Sequence, residues 1–269
     1  MSTILIGIDG SERSEEVIAF GGRLANASSA DVIVAGASLR DDVLDRLEGI
    51  APGRVTIRPL DHASPTRALY DLAEAELAAL IVVDSTPGGM SERLLHGAPC
   101  AVAVVPHGPR AAAPMGRIGL AYDASEEARA AVTGAVDLAR ALDAELEVLG
   151  VVSTTGVGAM LRGAEFRTIR KDLEHSVQHG LAALMAGLEA DVTATSHRLT
   201  GDPAEVLCER TADLELLLMG SRGYGPLRSV LVGGVSGRVA RAAQCPVIVV
   251  PRGVEAPLGA LFAGDRTAC

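Results

Sequence analysis

The sequence predicts an α/β fold: two tandem doubly wound domains, each on a five-stranded parallel sheet of Rossmann-like design. Three observations predict it. The chain repeats itself, each copy alternates short β-branched runs with longer stretches of helical period, and a glycine-rich segment follows the fourth strand of the second copy. ILIGIDGSERS at 4–14 matches RIGLAYDASEEA at 117–128, and APCAVAVVPHG at 98–108 matches AQCPVIVVPRG at 243–253. Such self-similarity marks a duplicated structural unit. Pairing Asp9 with Asp123 sets an offset of 114 and pairing Cys100 with Cys245 one of 145, so the second copy carries 31 more residues. Asp84 pairs with Gly220 at an offset of 136, which puts a net 22 of these in the middle connection and 9 in the loop after the fourth strand. PRAAAPM at 109–115 is the linker. Domains are therefore expected at 1–108 and 116–253, with a tail at 254–269.

In the second copy, strands are expected near 117–122, 145–152, 192–198, 214–219 and 246–250. Between the first two, Ala128, Val132, Ala135, Ala139 and Leu142 recur every three or four residues, the mark of an amphipathic helix. Ser125 is placed to cap it, with Glu126 and Glu127 in its first turn. A second helix covers about 165–188, a third opens at Pro203 in GDPAEVL and a fourth begins near Ser236. This alternation requires parallel strands joined by right-handed crossovers. Ligands of such sheets sit at the carboxyl ends of the strands where the strand order reverses, so the chemistry is expected just after strands one and four. AVAVV and PVIVV are expected at sheet edges, where unpaired backbone groups invite another strand. The tail has no assignable role and is expected to be disordered or to cover an exposed edge.

Composition narrows the function classes. The 269 residues carry 24 Lys plus Arg against 34 Asp plus Glu, a net charge of −10, with no basic run. Nucleic acid and anionic membrane surfaces both demand clustered positive charge, so neither is expected as a partner. Aromatic residues make up only 2%, which argues against base-stacking platforms. Apolar segments such as LELLLM are far shorter than the ~18 residues of a membrane span. MSTILIGIDGS runs into a strand and a turn without the basic start and cleavage site of a signal peptide, so a cytoplasmic protein is expected. Cys100, Cys208, Cys245 and Cys269 are widely spread with no CxxC, which fits reduced thiols.

The candidate site lies in MGSRGYGPLRSVLVGGVSGRVARAAQCPVIVV at 219–250. Gly220, Gly223 and Gly233 are spaced for a loop whose peptide N–H groups converge on an anion. The helix that follows adds its unpaired N–H groups and the positive end of its dipole. Ser221 and Ser236 offer hydroxyls and Arg222 a charge. Asp123, at the end of the first strand, offers a carboxylate acceptor for an exocyclic amine or a sugar hydroxyl, or simply helps start the next helix. In the first copy the fourth strand ends VVDSTPGGMSERLLHGAPC, where a single Pro87 replaces the ten residues from Gly223 to Val232. No comparable backbone cradle can form from that length.

This segment resembles the universal stress protein family, which carries a Gly-x2-Gly-x9-Gly-(Ser/Thr) nucleotide loop, then a helix and a Cys-Pro-Val-x-Val-Val strand. The glycines, the VS at 235–236 and the CPVIVV ending are all present, and the resemblance covers both copies. It implies an adenine nucleotide α-hydrolase-like fold and a tandem stress-response protein. In this reading the second domain binds ATP, or ADP or AMP, through Asp123, Ser125, Gly220, Ser221, Arg222, Gly223, Gly233, Gly234, Val235 and Ser236. The resemblance assigns Asp123 to adenine recognition and Val151 to the adenine-flanking position. Gly234 departs from the pattern by standing at the Ser/Thr position, which removes a hydroxyl and keeps the N–H. The resemblance also implies that the two domains pair through their edge strands as an intramolecular pseudo-dimer, and that the chain dimerises again. An accompanying magnesium ion is left open.

Other chemistries find little support. Lys171 is the only lysine and there is no GxxxxGK[ST], which removes P-loop phosphoryl transfer. GIDGS and AYDAS lack the glycines of a dinucleotide turn. His175 and His179 stand four apart, but HSVQH lacks the Glu of HExxH, and exposed helix histidines are expected in place of a metal site. No catalytic residue is assigned. Two alternatives remain: a slow ATPase or ATP-consuming transferase, for which neither DGSERS nor DASEEA supplies a pyrophosphatase loop, and a nucleotide-free interaction scaffold.

Overall fold

The computed structural model describes residues 2–11, 13–36, 53–60, 64–108, 114–153, 155, 164–221, 234–253 and 258–267. The first part of the chain gives β1 (Thr3–Ile8), α1 (Ser14–Ser28), β2 (Asp31–Gly36), β3 (Val55–Pro59), α2 (Pro65–Ala75), β4 (Leu80–Asp84), α3 (Met90–Leu94) and β5 (Ala101–Val105). The second gives β6 (Arg117–Ala121), α4 (Glu126–Leu142), β7 (Glu145–Ser153), α5 (Ala164–Gly187), β8 (Ala194–Gly201), α6 (Pro203–Arg210), β9 (Leu216–Ser221), α7 (Val235–Ala242) and β10 (Val247–Pro251). A C-terminal 3-10 helix covers Leu258–Thr267.

All ten strands form one sheet in the order β3-β2-β1-β4-β5-β10-β9-β6-β7-β8. Neighbours are parallel throughout except at the centre, where β5 and β10 run antiparallel with Ala103 opposite Ile248. The AVAVV and PVIVV strands are edges of their own five-stranded halves. In the whole chain each satisfies the other, because two rows of unpaired backbone groups of like length meet. The order reverses between β1 and β4 and again between β6 and β9, which opens a crevice at the carboxyl ends of each pair.

The inner strands are buried on both faces, as parallel strands between helical layers must be, while the outermost β3 and β8 are half-buried or exposed. On one face α1, α4 and α5 cover a single core running through both halves, with Ile4, Ile6, Phe20, Ile118, Leu120 and Leu146 fully buried. On the other, α2 and α3 cover Leu5, Ile81 and Val102, while α6 and α7 cover Leu217, Val247 and Val249. Ala240 of α7 packs into the first half's cluster, and Arg241 Nη1 lies 3.5 Å from Glu92 of α3.

Several boundaries differ from the sequence reading. β8 runs Ala194–Gly201, later than expected, because its pairing with β7 continues to Ser153 opposite Gly201. β9 extends to Ser221 because β10 pairs with it as far as Pro251. The tail neither covers an edge nor lacks order over 258–267: Leu258 and Leu261 are buried against the helical face, and Ser2 Oγ donates to the Ala260 carbonyl at 2.6 Å. Leu258 fits there because Gly134 of α4 has no side chain; a Cβ on Gly134 would meet Leu258 Cδ2 at 2.8 Å. Cys100 and Cys245 are buried, and burial pushes the Cys100 thiol up to about 12. Cys269 lies outside the described residues. His175 and His179 are exposed on α5, and no metal-binding group of His, Cys, Asp and Glu occurs among the described residues. No helix among them is long and apolar enough to cross a membrane.

Candidate functional site

Asp123 follows β6 and opens a tight turn: the Ser125 N–H donates to Asp123 Oδ1 at 3.0 Å, and Ala124 between them takes φ +61°. Short acidic side chains hold such turns by bonding backbone two residues on. Ser125 then caps α4 as expected, accepting from the Ala128 N–H at 3.2 Å. The first half builds the same turn, with Ser11 N–H on Asp9 Oδ1 at 2.9 Å and Gly10 at φ +81°. Burial raises the Asp9 carboxyl, but its hydrogen bonds from Ser11 outweigh this and hold it below its ordinary value.

At the switch point of the second half a cavity of about 530 Å³ opens. This size lies within the roughly 300–1,000 Å³ of small-ligand sites. Asp123, Ser125, Val151, Gly220, Ser221, Gly234, Val235 and Ser236 all line it. Arg222, Gly223 and Gly233 lie outside the described residues. Its apolar walls are Ala121, Leu149, Val151, Leu207 and Met219, and its polar groups are Asp123 and the hydroxyls of Ser125, Ser153, Ser221 and Ser236. Ser236 Oγ donates to Ser221 Oγ at 3.1 Å, so the start of α7 is tied to the end of β9. Gly234 precedes α7 with extended backbone and gives it no side-chain cap. The first N–H groups of that helix thus receive no cap bond from the residue that precedes it.

Gly220 has a packing role that the sequence reading did not assign. A Cβ there would stand 2.4 Å from the Glu127 carbonyl carbon and oxygen, so the glycine lets the first turn of α4 lie directly on β9. Glu127 itself is buried and faces Arg252 Nε at 3.4 Å. Pro203 and Leu207 of α6 and Ser153 of β7 also line the cavity without having been singled out. Ser153 ends a strand beside the switch point, and Pro203 opens the helix after β8, so the strand-end rule applied to every strand could have found both. Asp202 caps α6, accepting from Ala204 N–H at 3.0 Å and Glu205 N–H at 3.1 Å. The same carboxylate holds Arg238 of α7, with Nη2 at 2.9 Å and Nη1 at 3.1 Å. The guanidinium, then the Glu205 N–H, keep Asp202 below the usual carboxylate range.

In the first half, side chains at the corresponding strand end bond one another. Arg13 Nη1 donates to Thr86 Oγ1 at 2.9 Å, and that hydroxyl donates in turn to Asp84. Pro87 and Gly88 then lead directly into Gly89, where a Cβ would meet the Thr86 carbonyl oxygen at 2.7 Å.

Fold and site together define a doubly wound α/β protein with a cavity at a strand-order switch. The universal stress protein family model matches residues 115–251, and the chain belongs to that family. A universal stress protein of Mycobacterium tuberculosis is 31% identical over 165 residues, covering 60% of this chain and 55% of that protein. The chain thus spans about half the length of that relative. The Bacillus subtilis universal stress protein YxiE is 28% identical over 144 residues, 49% of this chain and 95% of YxiE. Among solved structures, a putative universal stress protein from Pseudomonas aeruginosa superposes with a TM-score of 0.68 at 16% identity, covering 98% of both chains. One from Archaeoglobus fulgidus gives 0.65 at 20% identity, covering 93% of this chain and 96% of its own.

Proposed function

We propose that the chain is a regulatory binding protein of the stress response that holds one adenine nucleotide, ATP in the first instance, in the cavity of its second half. The observation that carries this reading is the convergence of three elements on one cavity: the Asp123 carboxylate, the Ser221–Ser236 hydroxyl pair, and the start of α7, which has no side-chain cap. The parts fit an adenine nucleotide. The carboxylate accepts from the base or ribose, apolar walls flank a flat ring, and backbone N–H groups at a helix N-terminus receive phosphate. Family membership supports the same ligand. The role is binding in place of turnover, since Asp123 is the one carboxylate among the described lining residues and is already oriented by Ser125. Hydrolysis needs a general base with a free path to water.

The first half does not bind nucleotide in this manner, since Arg13, Thr86 and Asp84 occupy one another. In the same reading the halves, 1–108 and 116–253, are two domains joined as a pseudo-dimer through β5 and β10, and the cytoplasmic protein forms a homodimer. Isothermal titration with ATP, together with mass analysis of nucleotide released from purified protein, tests the proposal. One site per chain is expected, lost in Asp123→Ala. A silent titration with no released nucleotide sinks it.

A further inference from the structure

We propose that the Asp202–Arg238 ion pair is a charge latch beside the phosphate end of this cavity, which holds a guanidinium that a polyphosphate competes to release. The inference rests on the adenine-nucleotide reading above. Neither residue is itself among the described lining residues, but each stands close to one in the chain: Arg238 lies two residues beyond Ser236 on α7, and Asp202 immediately precedes Pro203 of α6. Two helix N-termini therefore meet the cavity, and they differ. At α6, the Asp202 carboxylate already occupies the Ala204 and Glu205 N–H groups. At α7, Gly234 supplies no such acceptor, so an anion is directed to α7.

None of the described lining residues is Lys or Arg, yet a triphosphate brings several negative charges. Of the two arginines on the helix that receives them, Arg241 faces Glu92 of α3 at 3.5 Å, while Arg238, nearer the helix start, is bound bidentately by Asp202 at 2.9 and 3.1 Å. Carboxylate and phosphate are matched equally well by the guanidinium fork, so one can replace the other as its partner. Its side chain is 39% exposed and therefore free to exchange. Glu205, at 3.8 Å, is a second and longer carboxylate contact. While the latch is closed, Arg238 also cancels a carboxylate that would otherwise repel the incoming anion.

Opposite signs for the two partners follow. Asp202→Asn keeps a side chain that caps helices as well as Asp does, removes the negative charge and loosens Arg238. Its Kd for ATP is expected to fall about three- to tenfold at low salt, the scale of one unit charge acting across partly solvated protein. The double variant Asp202→Asn with Glu205→Gln completes the release and gives the larger gain. Arg238→Met leaves Asp202 uncompensated, and its Kd rises by a similar factor. Both changes shrink for AMP and at about 0.5 M salt, where screening is strong. Titration of the full chain with ATP and with AMP reads all of this. If the pair were only a structural tie between α6 and α7, both substitutions would weaken ATP binding alike. Shifts in the same direction, or no shift, overturn the latch and leave the nucleotide reading standing. A wild-type chain that takes up no ATP removes that reading first.

Discussion

Ala124 stands at φ +61° in the turn after β6, where Gly10 stands at φ +81° in the matching turn after β1. Both turns hold a carboxylate by the same bond, from Ser125 to Asp123 and from Ser11 to Asp9. Left-handed backbone costs an L-residue roughly 1–2 kcal/mol and glycine far less. Ala124→Gly is therefore expected to raise the unfolding free energy by about 1 kcal/mol in urea titrations, with an unchanged slope. A loss of stability would mean that the Ala124 methyl, packed near Gly180 of α5, outweighs the strain of the turn.

Gly220 gives a change of the opposite sign. Its missing Cβ leaves room for the Glu127 carbonyl at 2.4 Å, and backbone cannot move aside as a flexible side chain can. Gly220→Ala is expected to destabilise by about 1–3 kcal/mol, the usual range for overpacking. It also displaces α4 from β9 and so distorts the cavity between Asp123 and Ser221. Denaturant unfolding and ATP titration on the same variant should fall together; stability lost without any loss of binding would separate the glycine's packing role from the site.

How far the sequence could be read follows from how local each signal is. The Ser125 cap, the 126–142 helix and the Pro203 helix start were legible because capping and helical period depend on neighbours a few residues apart. The two central strands were recognised as pairing edges, but their antiparallel union in one sheet joins residues about 145 apart and has no local signature. The tail was opaque for the same reason. LGALF reads as a short apolar scrap until Gly134, more than 120 positions earlier, provides the gap that Leu258 fills. At the site, Asp123 and the serines stood out by chemistry. Gly220 stood out as a phosphate glycine; its close approach to Glu127 adds a packing role to its place in the cavity wall. Pro203, Leu207 and Ser153 did not stand out as cavity walls because nothing in their residue type marks one.

Ser125 carries a prediction with two grades. Its hydroxyl satisfies the Ala128 N–H at 3.2 Å. Ser125→Ala should cost about 1 kcal/mol, while Ser125→Gly costs only a few tenths, because water can reach the bared N–H more easily beside glycine. Thermal or chemical denaturation of the pair checks the order. Equal losses would point to contacts of the side chain other than capping.

The C-terminal 3-10 helix is expected to contribute real stability. Leu258 and Leu261 are 4% and 3% exposed, and they seal the core between the helices of the two halves. Leu258→Ala should cost about 2 kcal/mol, the lower end for a buried leucine, since a terminal segment can relax into the gap. Removal of residues 258–269 should cost more and raise binding of an apolar dye. A truncated chain as stable as the whole would show that the segment rests on the surface without sealing it.

Arg238, followed by the Glu205 N–H, holds the Asp202 carboxyl below its ordinary value in the folded chain. A group depressed on folding lends stability at every pH above its unfolded value, near 4, and loses that contribution as pH falls through the folded value. Arg238→Met should therefore move the Asp202 titration upward, followed by carbon chemical shifts, without restoring it fully, because the Ala204 and Glu205 N–H groups still donate. The stability difference between wild type and variant should be constant from pH 5 to 8 and shrink below about pH 4. A difference that persists unchanged into strong acid would assign it to the packing of the arginine stem against α6, leaving the ion pair without a share.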